Sequence, residues 1–515
     1  MALGFAALAA MSLGYLLWSP RSPDLAAQLA RADVVRQAGD ISWWTGWFGG
    51  LRTHDYSWLV PTWIAGVGAP VLGAAGAFCG GAAAYRLLAS AQRRFLSGSA
   101  FVMICLADVV VGRLTFAVGV AVGLCSLVVL RQNRAVVSAG LAAVAFLASP
   151  LAGLFVGIAM LAVAVTDHGL RRAAVLGAGT MLLIAAGQVV FVPGAGEMPF
   201  AAADAVRGLL CCAAVAIACR GHRTISVGAM ITAAAVPLFL LAPGAVGANI
   251  VRLPWMCCVP LILGYGHLPR RWMVAVLAAL CAAWPISDVA GQLVSGAAPS
   301  AQRAFYQPLE HTLTTLRAAA GSAAIGQRLE LVDTANHFGT TYLAPLGLAR
   351  GWDRQADVAD NGLFYRPGAL TATSYHAWLH DLAVAWVAVP HARLDQAARA
   401  ESLLIGSGLP YLRPVWSNAN WQLYRVVDAA PLASGATVLN VSASAVTLRV
   451  PHAGRVLLRV RYTRGLIAAD VATGQPAGCI DNEGGWTRLQ LSRATTVTVR
   501  LAGAITWPRP DNDCP

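Results

Sequence analysis

Up to about residue 292 the chain is a succession of apolar runs, each roughly 15–20 residues long, separated by short connections that carry arginine. A helix needs about 20 apolar residues to cross hydrocarbon, so this pattern constrains the fold more than any other feature. The runs fall at roughly 3–19, 62–88, 99–112, 114–130, 135–149, 151–166, 173–192, 204–219, 224–242, 253–267 and 272–292, about 11 spans. The short ones, 99–112 and 135–149, suit helices that re-enter or pack inside a bundle. The first run has no basic residues ahead of it and leads straight into the others, so it reads as a span and not as a signal peptide. The expected fold class is a polytopic α-helical membrane protein with a C-terminal extracytoplasmic α/β plus β-sandwich region. The expected domains are 1–292 in the membrane, 293–432 as α/β and 433–515 as a β-sandwich.

Only 12% of the residues are charged and 57% are hydrophobic, with a mean hydropathy of +0.61. A soluble domain averages about 25% charged residues, so a wholly soluble enzyme, a fibrous protein and a disordered chain are excluded. The net charge of +13 comes from arginine alone, since the chain contains no lysine. Those arginines punctuate apolar segments and form no continuous basic face, so nucleic acid is not an expected partner.

Every second connection is basic: Arg93 and Arg94, Arg131 and Arg134, Arg171 and Arg172, Arg220 and Arg223, Arg270 and Arg271, opposed only by Asp167. By the positive-inside rule these connections are cytoplasmic. The expected location is the cell membrane, multi-pass, with the N-terminus cytoplasmic and residues 293–515 extracytoplasmic. The first outer loop, about 20–61, carries Arg21, Arg31, Arg36 and Arg52, Asp24, Asp33, Asp40 and Asp55, together with His54. Its Trp43, Trp44, Trp47 and Trp58 are expected to form an interfacial belt, with stacking on sugar faces as the alternative. Other outer connections add Glu197, Asp204 and Arg252, and Arg113 sits at a tight turn near Asp108. Ionisable groups near a bilayer are costly to keep and point to function.

In the soluble portion, Leu329–Val332 and Ala385–Val389 look like buried strands, with a helix at Tyr375–Ala383. After about 436 short alternating runs at 437–441, 445–450, 455–462, 486–491 and 496–501 suggest a β-sandwich. Nine of the eleven cysteines lie in or beside spans and serve as small apolar residues. Cys479 and Cys514, outside, are candidates for one disulfide, with two free thiols as the alternative. No HExxH, Walker A, CxxC or GxSxG motif occurs in a usable context.

Three features carry a family resemblance. The first is Arg21-Ser-Pro-Asp24-Leu-Ala-Ala-Gln28 directly after a span, leading to Trp43-Trp-Thr-Gly-Trp-Phe-Gly-Gly50 and Tyr56-Ser-Trp-Leu-Val-Pro61. The second is Gly112-Arg113-Leu-Thr-Phe opening one span, with Gly247-Ala-Asn249-Ile-Val-Arg252-Leu ahead of a late one. The third is the outer segment from Tyr375 to Val389. The chain resembles the GT-C superfamily of membrane-embedded glycosyltransferases, in particular actinobacterial members. The resemblance implies a polyprenyl-phosphate-sugar donor, an envelope glycan or glycolipid acceptor, contact with membrane lipids, and room for a divalent cation (Mg, Mn or Ca).

Elementary chemistry leads to a compatible place. Outside the cell there is no nucleotide-sugar pool, so a donor must arrive on a lipid. Transfer from a lipid phosphate needs a base for the acceptor hydroxyl and cations for the leaving phosphate. Asp24, just beyond the first span, is the candidate base, and it could equally cap an interfacial helix over Leu25–Arg36. Arg113 and Arg252, at outer ends of spans, are candidates for donor phosphate binding. Asp33, His54 and Asp55 are candidates for acceptor or metal binding, with solvated loop residues as the plain alternative. The expected function is an inverting glycosyltransferase. The alternative is a polytopic transporter or a flippase for lipid-linked sugars, which calls for internal repeats and mid-membrane charges; a non-catalytic envelope scaffold is a third reading.

Overall fold

The computed structural model describes residues 2–39, 42–54, 56–191, 196–503 and 514, with side chains described from Ala6 onward. The chain forms two compact units, one of residues Met1–Gln28 and Asp55–Ala297, the other of Leu29–His54 and Ala298–Pro515.

The first unit is a helical bundle. Its helices are α1 (Ala2–Trp18), the opening turns of α2 (Pro23–Ala38), α3 (Val60–Val67), α4 (Ala69–Leu87), α5 (Arg94–Val110), α6 (Leu114–Arg131), α7 (Ala135–Ala148), α8 (Pro150–Thr166), α9 (Arg171–Phe191), α10 (Ala202–Ala218), α11 (Arg223–Leu241), α12 (Arg252–Tyr265) and α13 (Arg271–Ala297). Helix covers all the stretches expected to span, α3 and α4 dividing one of them at Gly68. By length and composition, 6 helical segments among the described residues can cross a membrane; Ala6–Trp18, Ala135–Ala148 and Pro150–Thr166 are apolar but shorter.

Small residues set the spacing of the bundle, as they do where helices meet without a hydrophobic drive. On α4, a Cβ added to Gly73 would lie 2.6 Å from Val109, and one added to Gly81 would lie 2.9 Å from Leu8. The two ends of the bundle differ in chemistry. At one end the arginines cap helix carboxyl termini: Arg93 Nη1 donates to the carbonyls of Leu263 and Gly266 at 3.3 Å, Arg131 to Leu87 at 2.7 Å, and Arg171 to Ala164 at 3.0 Å. Carbonyls left open in a last helical turn are natural partners for cations. The other end, where α5 gives way to α6 and α12 begins, holds Asp24, Asp108 and Asp288.

The second unit contains a four-stranded sheet and a sandwich. The sheet runs β1 (Arg328–Leu331), β2 (Val384–Pro390), β4 (Trp421–Val426), β3 (Leu412–Ser417); β1 and β2 are parallel and the other pairs antiparallel. The sandwich pairs two four-stranded sheets built from β5 (Ala433–Ser434), β6 (Thr437–Ser442), β7 (Ala445–Val450), β8 (Gly454–Arg461), β9 (Leu466–Asp470), β10 (Gly478–Glu483), β11 (Trp486–Leu491) and β12 (Thr495–Leu501). Their orders are β10-β11-β8-β5 and β6-β7-β12-β9. Alternate residues such as Val446, Leu448, Leu458, Leu489, Val497 and Val499 face inward and form one core, the period-2 pattern of a strand with one wet face. Cys479 on β10 is disulfide-bonded to Cys514, with the Cα atoms 5.0 Å apart.

The tryptophans of the 43–47 stretch correct an expectation. They are core residues of the second unit: Trp43, Trp44 and Trp47 are buried, and Trp47 Nε1 donates to the Thr340 carbonyl at 3.0 Å. The guanidinium of Arg31 lies 5.6 Å from the Trp47 ring and its Nη2 meets Asp353 at 2.6 Å. A buried indole whose N–H finds a carbonyl packs like any core aromatic, so these rings are no interfacial belt.

Candidate active site

The site begins at the first turn of α2. Pro23 occupies the first helical position, where a missing N–H is harmless, and Asp24 stands in the first turn, where the helix dipole favours a carboxylate. Gln28, four residues on and so on the same face, is buried and donates to the Tyr56 hydroxyl at 2.9 Å.

Arg113 is brought to this helix by Gly112. The turn between α5 and α6 puts Gly112 at φ 82°, and a Cβ there would lie 2.3 Å from the Leu25 amide nitrogen. Both the left-handed backbone and the close approach require glycine. Arg113 Nε then reaches Asp24 Oδ2 at 3.2 Å, and Nη2 reaches Asp288 Oδ2 at 2.9 Å. Nη1 lies 3.7 Å from Asp108 Oδ1, and the guanidinium sits 5.3 Å from the Trp255 ring centroid. Each of its three nitrogens is thus directed at a carboxylate. Asp108 is almost completely enclosed at 2% side-chain exposure, while Asp24 and Asp288 each retain 24%.

Arg252 contrasts with Arg113. It opens α12, lies 5.7 Å from the Phe116 ring centroid, and makes no hydrogen bond or ion pair among the described residues. It stands within electrostatic reach of Asp24, Asp108 and Tyr56. The cluster therefore sets three carboxylates against two guanidiniums, one fully engaged and one with its donors uncommitted. A guanidinium in that state is suited to an arriving phosphate; Arg113 would have to release a carboxylate to make the same contact.

The structure thus brings Asp24 and Arg113 into direct contact and puts Arg252 at the same end of the bundle. Asp33 is nine residues further along α2, about 13 Å at 1.5 Å per residue, and is ion-paired with Arg36. His54 is buried in the second unit, and Asp55 lies outside the described residues. Sequence reasoning missed Asp288. The signal was present, because an acid within the 272–292 run, three residues after Pro285, is an ionisable group in a predicted span.

Asp24, Asp108 and Asp288 do not form the donor set of a divalent ion. Such an ion needs several oxygens converging on one point, whereas here the Arg113 guanidinium stands between them and supplies the positive charge itself.

The second unit holds a separate buried ionic group. Arg350 Nε donates to Glu330 at 2.9 Å, Nη2 also meets Glu401, and Tyr375 donates to Glu401 at 2.8 Å. Burial pushes the Glu330 carboxyl well above the usual range, and the neighbouring Glu401 adds to the rise.

The fold and site are those of a polytopic helical membrane protein with a β-rich C-terminal region and a carboxylate–guanidinium cluster at one end of its bundle. No family model matches the chain, and no curated protein matches it. Solved structures do: three of an arabinofuranosyltransferase from Mycobacteria, AftD, two of them of a point mutant, each align with 97% of this chain at 14% identity and a TM-score of 0.43. The chain spans 57–60% of the length of those structures. At this level the likeness is one of outline.

Proposed function

We propose that the chain is a membrane-embedded inverting glycosyltransferase that moves a sugar from a polyprenyl-phosphate donor to a cell-envelope glycan or glycolipid outside the cytoplasmic membrane. The observation that carries this reading is the pairing of Asp24 with Arg113 at the end of the bundle where Arg252 makes no hydrogen bond or ion pair among the described residues. The opposite end carries the arginine-rich connections, and the positive-inside rule makes that end cytoplasmic. The cluster then faces outward at headgroup height.

Asp24 uses Oδ2 for Arg113, which leaves Oδ1 to accept the proton of an acceptor hydroxyl. The acceptor oxygen attacks the anomeric carbon opposite the phosphate. The bond from that carbon to the phosphate oxygen breaks, and polyprenyl phosphate departs with the electron pair. Arg252 stabilises the charge that grows on it, a contact stronger in the transition state than before it. Arg113 positions Asp24 and Asp288. No step is assigned to a metal.

Purified protein given a labelled polyprenyl-phosphate sugar and an envelope acceptor tests the proposal. Acceptor labelling with release of polyprenyl phosphate supports it. Transbilayer movement of the intact donor without cleavage would select the flippase reading instead.

A further inference from the structure

We propose that Cys211, Cys258 and Cys281 form a three-sulfur site for a soft d10 cation, Zn2+ or Cu+, inside the helical bundle. Each of α10, α12 and α13 supplies one thiol, and the three Sγ atoms all lie within 4.8 Å of one another. A metal–sulfur bond of about 2.3 Å places three sulfurs around one ion about 4 Å apart, so the helices already hold the ligands near bonding separation. The three helices pack pairwise, α10 with α12, α12 with α13 and α10 with α13. Cys211 is 8% and Cys258 2% exposed, while Cys281 packs against the same core from a half-buried position. Within the group the Cys258 thiol also donates to the Cys211 carbonyl at 3.6 Å.

Thiolate sulfur in a dry setting selects soft ions over magnesium or calcium, which require oxygen. Binding moves no electrons. Each sulfur shares a lone pair with the ion, and each thiol that ligates as a thiolate gives its proton to solvent. Apolar surroundings favour the complex of least net charge, which means two thiolates and one thiol around Zn2+, or one thiolate and two thiols around Cu+. The site lies on the helices that carry the acidic end. Cys258 follows Arg252 by six residues and Asp288 follows Cys281 by seven, roughly 9–10 Å along each axis. An ion here would fix the spacing of α12 and α13 beneath Arg252 and Asp288. The site does not depend on the glycosyltransferase reading, and its test reads the metal alone.

The full chain in detergent, reduced and stripped of metal, is titrated with Cd2+ while the ultraviolet sulfur-to-cadmium charge-transfer band is recorded. The expected result is saturation at one equivalent per chain, with apparent affinity falling roughly tenfold or more in Cys258→Ser and unchanged in Cys79→Ser, which alters an exposed cysteine. Zn2+ and Cu+ are then competed against bound Cd2+, and displacement by one of them identifies the ion. Absence of the band, its survival in Cys258→Ser, or failure of both ions to displace Cd2+ overturns the proposal. If the serine variant is not obtained as a monodisperse protein, wild-type chain is labelled with a maleimide with and without Cd2+ and mapped by mass spectrometry. Protection confined to positions 211, 258 and 281 supports the site; protection elsewhere, or none, overturns it.

Discussion

Arg113 donates from Nη2 to Asp288 at 2.9 Å and from Nε to Asp24 at 3.2 Å, so one guanidinium joins the start of α2 to the far part of α13. These two carboxylates are equally exposed, and only their assigned roles separate them. Asp24→Asn keeps an oxygen for Arg113 but removes the base. Turnover is expected to fall by roughly 10²–10⁴ with thermal stability little changed. Asp288→Asn keeps most of the geometry and is expected to lower turnover far less. Steady-state transfer assays beside thermal unfolding check both, and near-wild-type turnover in Asp24→Asn would transfer the base role to Asp288.

The two arginines are expected to fail in different ways. Arg252 has no carboxylate partner, so Arg252→Ala removes a contact made to donor phosphate and leaves no internal charge exposed. A hydrogen bond to a charged group contributes about 1.5–3 kcal/mol, and kcat/KM for the donor should fall roughly 10- to 100-fold in a folded protein, with kcat itself lowered. Arg113→Ala strips the counter-charge from the enclosed Asp108. Breaking such a pair costs about 3–5 kcal/mol, so this variant should lose stability before activity can be measured. Melting temperature and donor kcat/KM, measured side by side, separate the two.

How much of this was legible in the sequence follows from the range of each interaction. The helices were visible because an apolar run reports on its own residues, and the strands β6, β7, β8, β11 and β12 because alternation does the same. The strands β9 and β10, reading LIAAD and GCIDNE, carry no clean alternation and were not seen. The site depends on pairings that no local pattern encodes: Arg113 meets Asp24 across 89 positions and Asp288 across 175. The Trp43–Trp47 stretch misled for the same reason, since a loop rich in indoles looks like a membrane belt until the carbonyl of Thr340, 293 positions away, is placed against Trp47. Gly112 was noticed only as part of a motif; that it allows Arg113 to reach α2 became clear from the 2.3 Å approach to Leu25.

The buried group around Arg350 makes stability depend on pH in a definite direction. The folded pKa of Glu330 is raised, chiefly by burial, and that of Glu401 is raised as well, also chiefly by burial. For a raised group the folded state binds its proton more tightly than the unfolded one, so the contribution is full below the unfolded value and is lost as pH climbs through the folded value. Asp395 acts oppositely. Its side chain is desolvated, yet Arg354, in a two-pronged pair at 2.8 and 3.0 Å, and His337 hold its carboxyl far below the usual range. Its contribution is present above the unfolded value, about 3.9, and is lost on further acidification. Thermal stability is therefore expected to peak near the unfolded carboxylate values, about pH 4–5, and to decline as pH rises above them. Glu330→Gln, which mimics the protonated acid, should flatten the alkaline decline and leave the acid limb intact. A melting profile that rises steadily to pH 8 in wild type would remove Glu330 from the account.

Cys479 and Cys514 close a loop of sequence separation 35 onto β10. In the chain-entropy view a crosslink of that length restricts the unfolded chain by about 3–4 kcal/mol. Among the described residues β10 is the outermost strand of its sheet, paired with β11 in the β10-β11-β8-β5 order, and an edge strand is the part of a sheet that opens most readily. Reduction should therefore act first on β10. Amide exchange is expected to quicken across Gly478–Glu483 in dithiothreitol and in Cys514→Ser, while β8 and β11 stay protected and the helical bundle is unaffected. The same bond reports on compartment, because such pairs persist where thiols are oxidised and not in the cytosol. Protein taken from intact membranes under alkylating conditions should show Cys479 and Cys514 blocked and the bundle thiols free. Recovery of free Cys479 would contradict an extracytoplasmic second unit, and with it the assignment of the acidic end of the bundle to the outer face.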